Sequence, residues 1–133
     1  MRFSAQATVL VLEHDGGLRS LARRVLSGQA YRVLEARNAV EALDAASRES
    51  ASIDLLVCDV DTPTLRARAL VAEIEALQPG ISVVFSSERK DAELLLSGFD
   101  VGNDFLLTRP FNGTQFMDLV RAGLRFSGSL RQA

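Results

Sequence analysis

The sequence predicts a single α/β domain: one doubly wound five-stranded parallel sheet of order 2-1-3-4-5, with helices on both faces. Three observations lead there. Short, dense apolar runs occur five times along the chain. A longer segment with helical spacing follows each of them. The 133 residues suit one domain and no more. Strict alternation of this kind favours parallel strands joined by right-handed helical crossovers.

The strand candidates are Ala7–Leu12, Arg32–Ala36, Ile53–Cys58, Ile81–Phe85 and Phe105–Thr108. Each is rich in Val, Ile or Leu and too short for a helix, as expected of strands buried on both faces. In the first helix, Leu18, Leu21, Ala22, Val25 and Leu26 recur at i, i+3, i+4, i+7 and i+8, with Arg19, Arg23 and Arg24 mostly opposite. Val40, Leu43 and Ala46 mark the second, and Leu70, Ile74 and Leu77, with Val71 beside them, the third. Ala92–Ser97 is a shorter fourth. Phe116, Leu119, Val120 and Leu124 mark the fifth. Asn38 followed by Glu41 reads as a capping box, and Asn112 with Gln115 as a weaker one. Asp91 is placed to cap the fourth helix. Gly28, Gly98 and Pro79-Gly80 are stops. The domain is expected over residues 7–126, with residues 1–6 and 127–133 as flexible termini.

Composition narrows the function classes. Hydrophobic residues are 47% and charged residues 24%, ordinary values for a soluble globular domain. With 15 basic and 17 acidic residues the net charge is -2, which argues against a nucleic-acid partner. The single cysteine, Cys58, cannot form an internal disulfide and sits in an apolar run as a core residue. There is no apolar targeting run at the start and nothing near the roughly 18 apolar residues that span a membrane. A cytoplasmic protein with no membrane partner is expected.

Sheets of this order carry their sites at the carboxyl ends of the strands. Glu13, His14 and Asp15 follow the first strand. Asp59, Val60, Asp61, Thr62 and Pro63 follow the third. Ser86, Ser87 and Glu88 follow the fourth, and Arg109, Pro110 and Phe111 the fifth. Carboxylates, hydroxyls and one guanidinium should therefore meet. Five segments, Val9–Arg19, Tyr31–Leu43, Ile53–Pro63, Val83–Ser87 and Phe105–Phe111, together resemble the receiver domains of two-component response regulators, over about residues 7–126. The match is similar to receivers attached to hybrid sensor kinases.

The resemblance implies a flavodoxin-like (βα)5 fold, no enzymatic activity, and phosphorelay signalling with a histidine kinase or other signalling protein as partner. It makes Asp59 the candidate phosphoacceptor. Glu13, Asp59 and the backbone carbonyl of Asp61 become candidate Mg2+ donors. Ser87 matches the hydroxyl that bonds the phosphoryl group, Leu106 falls at the aromatic switch position, and Arg109 stands where the family has lysine, before a cis proline at Pro110. Several departures are visible. His14 replaces a metal-binding carboxylate, and imidazole suits Zn2+, Ni2+ or Cu2+ better than Mg2+. Glu88 replaces a small residue. The planar fork of Arg109 favours a grip on a carboxylate, with Asp59 in reach. Mg2+ binding is thus expected to be weak. The alternative function is a pseudo-receiver that acts without phosphate as a docking or dimerisation module.

Leu94, Leu95, Leu96, Phe99 and Met117, beside Asp104 and Arg121, suggest a partner or homodimer face on the fourth helix, fifth strand and fifth helix. Gly16-Gly17 lacks the spacing of a nucleotide loop. A flavin-binding domain is disfavoured by the absence of a Ser/Thr-rich phosphate loop after the first strand.

Overall fold

The computed structural model describes residues 6–89 and 106–132. In chain order the elements are β1 (Thr8–Leu12), α1 (Gly16–Gly28), β2 (Arg32–Ala36), α2 (Ala39–Arg48), β3 (Leu55–Asp59), α3 (Ala67–Leu77), β4 (Ser82–Ser87), β5 (Leu106–Thr108) and α4 (Gly113–Gln132). The sheet has the order β2-β1-β3-β4-β5, and every pairing is parallel. The expected helix over Ala92–Ser97, with Asp91 and Gly98, lies outside the described residues. So do the interface candidates Leu94, Leu95, Leu96 and Phe99, and Asp104.

The central strands β1 and β3 are buried at every position. Alternation divides their side chains between two cores. Leu10, Leu12, Leu56 and Cys58 join Ala42, Ala46, Leu70, Val71 and Ile74 beneath α2 and α3. Val9, Val11, Leu55 and Val57 join Ala22, Leu26, Phe116, Leu119 and Val120 beneath α1 and α4. Full burial of each Leu or Phe stabilises the fold by about 1.5–3 kcal/mol. At Gly123 the helix lies so close to the sheet that a Cβ would stand 2.7 Å from Leu55 Cδ1 and 2.8 Å from Val84 Cγ1. Burial also pushes the Cys58 thiol pKa up, in keeping with a core residue.

The helix starts are chemically explicit. Asp15 caps α1 by accepting from Leu18 N–H at 2.9 Å. At α2, Asn38 Oδ1 accepts from Glu41 N–H at 2.9 Å, while Glu41 Oε1 accepts from Arg37 N–H at 2.8 Å. The Asn112–Gln115 box is the fully reciprocal one: each side chain accepts from the other residue's backbone N–H, at 2.8 and 2.9 Å. Gly80 closes the α3–β4 turn with φ 91°, a left-handed conformation open to glycine at little cost.

Some expectations are corrected. Val40 and Leu77 are not core residues; both are exposed, and Ala42 and Val71 take the inward positions. Helix α2 turns Ala42 and Ala46 toward the sheet, and α3 turns Leu70, Val71 and Ile74. Asp59 ends β3 and Ser86 and Ser87 belong to β4, because Asp59 pairs with Ser86 by backbone alone, whatever the side-chain polarity. Met117 is 5% exposed and packs in the core under α4, so it cannot form part of a partner face. Its neighbours Phe116, Leu119 and Val120 already turn that side of the helix inward. Arg121 is on the surface, 3.7 Å from Asp118. Helix α4 runs on to Gln132. That stretch has no proline, and a lone glycine costs a helix only about 1 kcal/mol. Among the described residues no helix is long and apolar enough to cross a membrane.

Candidate functional site

The parallel order brings the carboxyl ends of β1, β3, β4 and β5 side by side, and the sequence-predicted polar residues meet there. Asp59 is at the centre, fully buried. Its Oδ1 accepts from Arg109 Nη2 at 2.6 Å and from the Asp61 backbone N–H at 3.0 Å. Its Oδ2 lies 2.5 Å from His14 Nδ1, the protonated nitrogen in this pairing, and accepts from Thr62 Oγ1 at 3.2 Å. Each carboxylate oxygen thus has two polar partners, the Thr62 hydroxyl sharing its one proton between Oδ2 and the Asp59 backbone carbonyl.

Arg109 is held by topology as much as by charge. Its backbone N–H donates to Ser87 carbonyl at 2.8 Å, tying the end of β5 to β4, and its peptide bond to Pro110 is cis. The guanidinium does not grip Asp59 with both arms. Nη2 bridges Asp59 and Asp61, the latter at 3.2 Å, while Nη1 faces Glu13 at 3.8 Å and Glu88 at 4.0 Å. The Glu88 side chain is 73% exposed, so it stands at the rim rather than crowding the centre. Leu106 pairs with Phe85 across β4 and packs against the α2–α3 core.

Asp61, named from the sequence as a metal candidate, has a role that sequence reasoning missed. Only its backbone carbonyl was singled out, as a metal donor, yet its carboxylate carries the contacts. Oδ1 accepts from Ser87 Oγ at 2.8 Å and Oδ2 from Glu88 N–H at 2.6 Å. An acidic side chain two residues past Asp59, facing the Arg109 guanidinium, was the available signal. The Thr62 hydroxyl was missed too. It donates to the Asp59 backbone carbonyl at 2.9 Å and folds the loop back on itself.

Electrostatics separate the two buried carboxyls at the centre. Burial, then the adjoining Asp59 carboxylate, push Glu13 up to about 7. For Asp59, burial acts upward, but hydrogen bonding with Glu13 and His14 and the Arg109 charge outweigh it and hold the group below its usual range. Glu13 therefore holds a proton to higher pH than Asp59 does.

Glu13, His14 and Asp59 place one ligand atom each within 4.8 Å of one another and could coordinate a divalent ion. The set is a poor match for Mg2+, which requires several oxygen donors in octahedral geometry. The ion would have to displace Arg109 or His14 from Asp59 and the proton from Glu13. A groove of about 300 Å3 runs alongside, lined by Leu18, Glu88, Arg109, Pro110 and Phe111, and Asp59 is not among its walls.

Residues 9–121 match the family model for the response regulator receiver domain. The chain is 28% identical over 113 residues to an uncharacterized transcriptional regulatory protein, YbdJ, of Bacillus subtilis, covering 85% of this chain and 48% of that protein. It is 30% identical over 117 residues to the response regulator MprA of Mycobacterium avium, covering 88% and 50%. The chain thus spans about half the length of these relatives. Among solved structures, the receiver domain from the hybrid histidine kinase CckA is 27% identical with a TM-score of 0.70, covering 89% of this chain and 99% of that one. Strand order, the aspartate ending β3 and the family match agree: the chain belongs to the response regulator receiver domains, a family of non-catalytic signalling modules.

Proposed function

We propose that this receiver domain signals as a phosphorylation-independent docking module, engaging a histidine kinase or another signalling protein through its surface while its pocket stays closed on itself. The observation carrying this reading is the state of Asp59: fully buried, with four polar groups of the protein in contact with its two oxygens. Phosphoryl transfer to a carboxylate needs a free attacking oxygen and cations that neutralise the incoming group. Here the attacking oxygens are occupied and the Arg109 guanidinium is already shared between Asp59 and Asp61.

A second reading has specific support. Asp59 ends β3, Ser87 ends β4, and Arg109 precedes a cis proline, the positions that the family resemblance gives to acceptor, hydroxyl and lysine. In that reading Asp59 accepts phosphate in a phosphorelay. Incubation with acetyl phosphate and Mg2+, read by intact mass, separates the two. The docking reading expects an unmodified mass for the natural chain. It expects labelling only after His14→Asp, Arg109→Lys and Asp61→Ala are combined, and loss of that label on adding Asp59→Asn. Stoichiometric Mg2+-dependent labelling of the natural chain would establish the phosphorelay reading instead.

A further inference from the structure

Two linked turns join β3 to α3. Thr62 N–H donates to the Asp59 carbonyl at 3.2 Å, and Leu65 N–H donates to the Thr62 carbonyl at 3.1 Å. The second turn has Pro63 and Thr64 at its middle, and Thr64 has φ 63°. Left-handed backbone just after a proline is the pattern of a type II turn, which glycine or asparagine fills at low cost. A β-branched residue is out of place there, because its Cβ crowds the following carbonyl oxygen. Thr64 is exposed, so packing does little to offset that cost, and its hydroxyl donates locally, to the Pro63 carbonyl at 2.6 Å. The helix that follows does not anchor the turn. Arg66 stands at the start of α3 with no side-chain cap bond, and the first turn has no acidic residue, whereas Asp15, Asn38 and Asn112 cap the other three described helices. The loop is held instead from β4: the Asp61 carboxylate accepts from Ser87 Oγ at 2.8 Å and from Glu88 N–H at 2.6 Å.

We infer that the β3–α3 loop is a strained latch: the Asp61 contacts hold shut a turn that Thr64 biases toward opening, so that residues 61–65 leave β4 together while the sheet stays intact. Opening relieves the Thr64 backbone and releases Ser87 and the Glu88 N–H in one step. Leu65, partly buried against the α2–α3 core, moves with it. The domain thereby has a second surface shape beside α3 that a partner can select without any covalent change. The inference does not depend on the docking reading, because no phosphoryl group enters it.

Native-state amide hydrogen exchange of the full chain, followed residue by residue by NMR, is the test. In the natural chain the Thr62, Leu65 and Glu88 amides should share one protection factor, at least about a hundredfold below that of Val57 in the middle of β3. Glu88 lies on the far side of the latch, so its agreement with the loop amides reports a single opening. Thr64→Asn should raise all three protection factors by about fivefold, because asparagine is several-fold enriched in left-handed backbone. Thr64→Val, which keeps the β-branch and drops the hydroxyl, should raise none of them. Three unrelated protection factors, protection equal to that of Val57, or the same response to Thr64→Asn and Thr64→Val overturns the inference.

Discussion

At the amino end of β3, Asp54 and Gln78 are buried. At the carboxyl end of the same strand, Asp59 and Arg109 are buried. The two ends satisfy their polar groups by different means. Asp54 accepts from Thr8 N–H at 2.8 Å, Gln78 Oε1 accepts from Ile53 N–H at 2.9 Å, and Gln78 Nε2 donates to Ala46 carbonyl at 3.1 Å. These are side chains spent on backbone, stitching loops to strands that the sheet ladder leaves unpaired. At the other end, side chains bond chiefly to side chains: one guanidinium serves two carboxylates, and burial pushes the pKa of a third carboxyl up to about 7. The amino end is a structural joint built from side chain to backbone bonds. The carboxyl end is a charge cluster whose members depend on one another, and disturbing one changes the rest.

That contrast sets the sizes of the expected effects. Arg109→Met should be the most damaging, by about 3–5 kcal/mol in urea unfolding, because it leaves the Asp59 and Asp61 charges buried without their cation. Adding Asp59→Asn should recover part of the loss, and a double-mutant cycle with no coupling between them would contradict the cluster picture. Gln78→Leu should cost about 1–3 kcal/mol, the penalty of orphaning buried backbone groups, with no change in the pH profile.

The pH profile distinguishes the ends further. Glu13 has its pKa raised from 4.5 to about 7, so its contribution is present below its unfolded value and is lost as pH rises through about 7. Asp59 is shifted downward, so its contribution is present above 3.8 and is lost as pH falls through its lowered value. Stability should therefore be highest in mildly acidic solution and fall by about 1–3 kcal/mol from about pH 5 to about pH 7.5. Glu13→Gln, a permanent stand-in for the protonated form, should flatten that fall; an unchanged slope would show the proton to be elsewhere. The smallest effect is expected for Asp54→Asn, within about 1 kcal/mol, because the amide oxygen keeps an acceptor for Thr8 N–H.

The fold was legible because its signals are local and repeated. Val9 to Leu12 and Leu55 to Cys58 read as continuous apolar runs, and the caps at Asn38 and Asn112 announce their helices. Inward faces were less so. Val40 carries the right hydropathy but sits exposed, since periodicity gives a stripe and not its rotation against a sheet. Met117 looked like surplus for the same reason. At the site, chain order and the strand-end rule brought Glu13, His14, Asp59, Ser87 and Arg109 together. The rule places residues but not their pairing. That Asp61 would turn its carboxylate onto Ser87 and Glu88, and Glu88 its own outward, depends on where a loop directs its side chains in three dimensions.

The central claim is that both oxygens of Asp59 are committed to donors of the protein itself. Its side-chain carboxylate carbon, followed by NMR at neutral pH while Mg2+ is raised through the millimolar range, reports on that directly. The account predicts a resonance that does not move in the natural chain and moves saturably once His14→Asp and Arg109→Lys are combined. A saturable Mg2+-dependent shift in the natural chain would show an oxygen of Asp59 free to take the ion, and would contradict it.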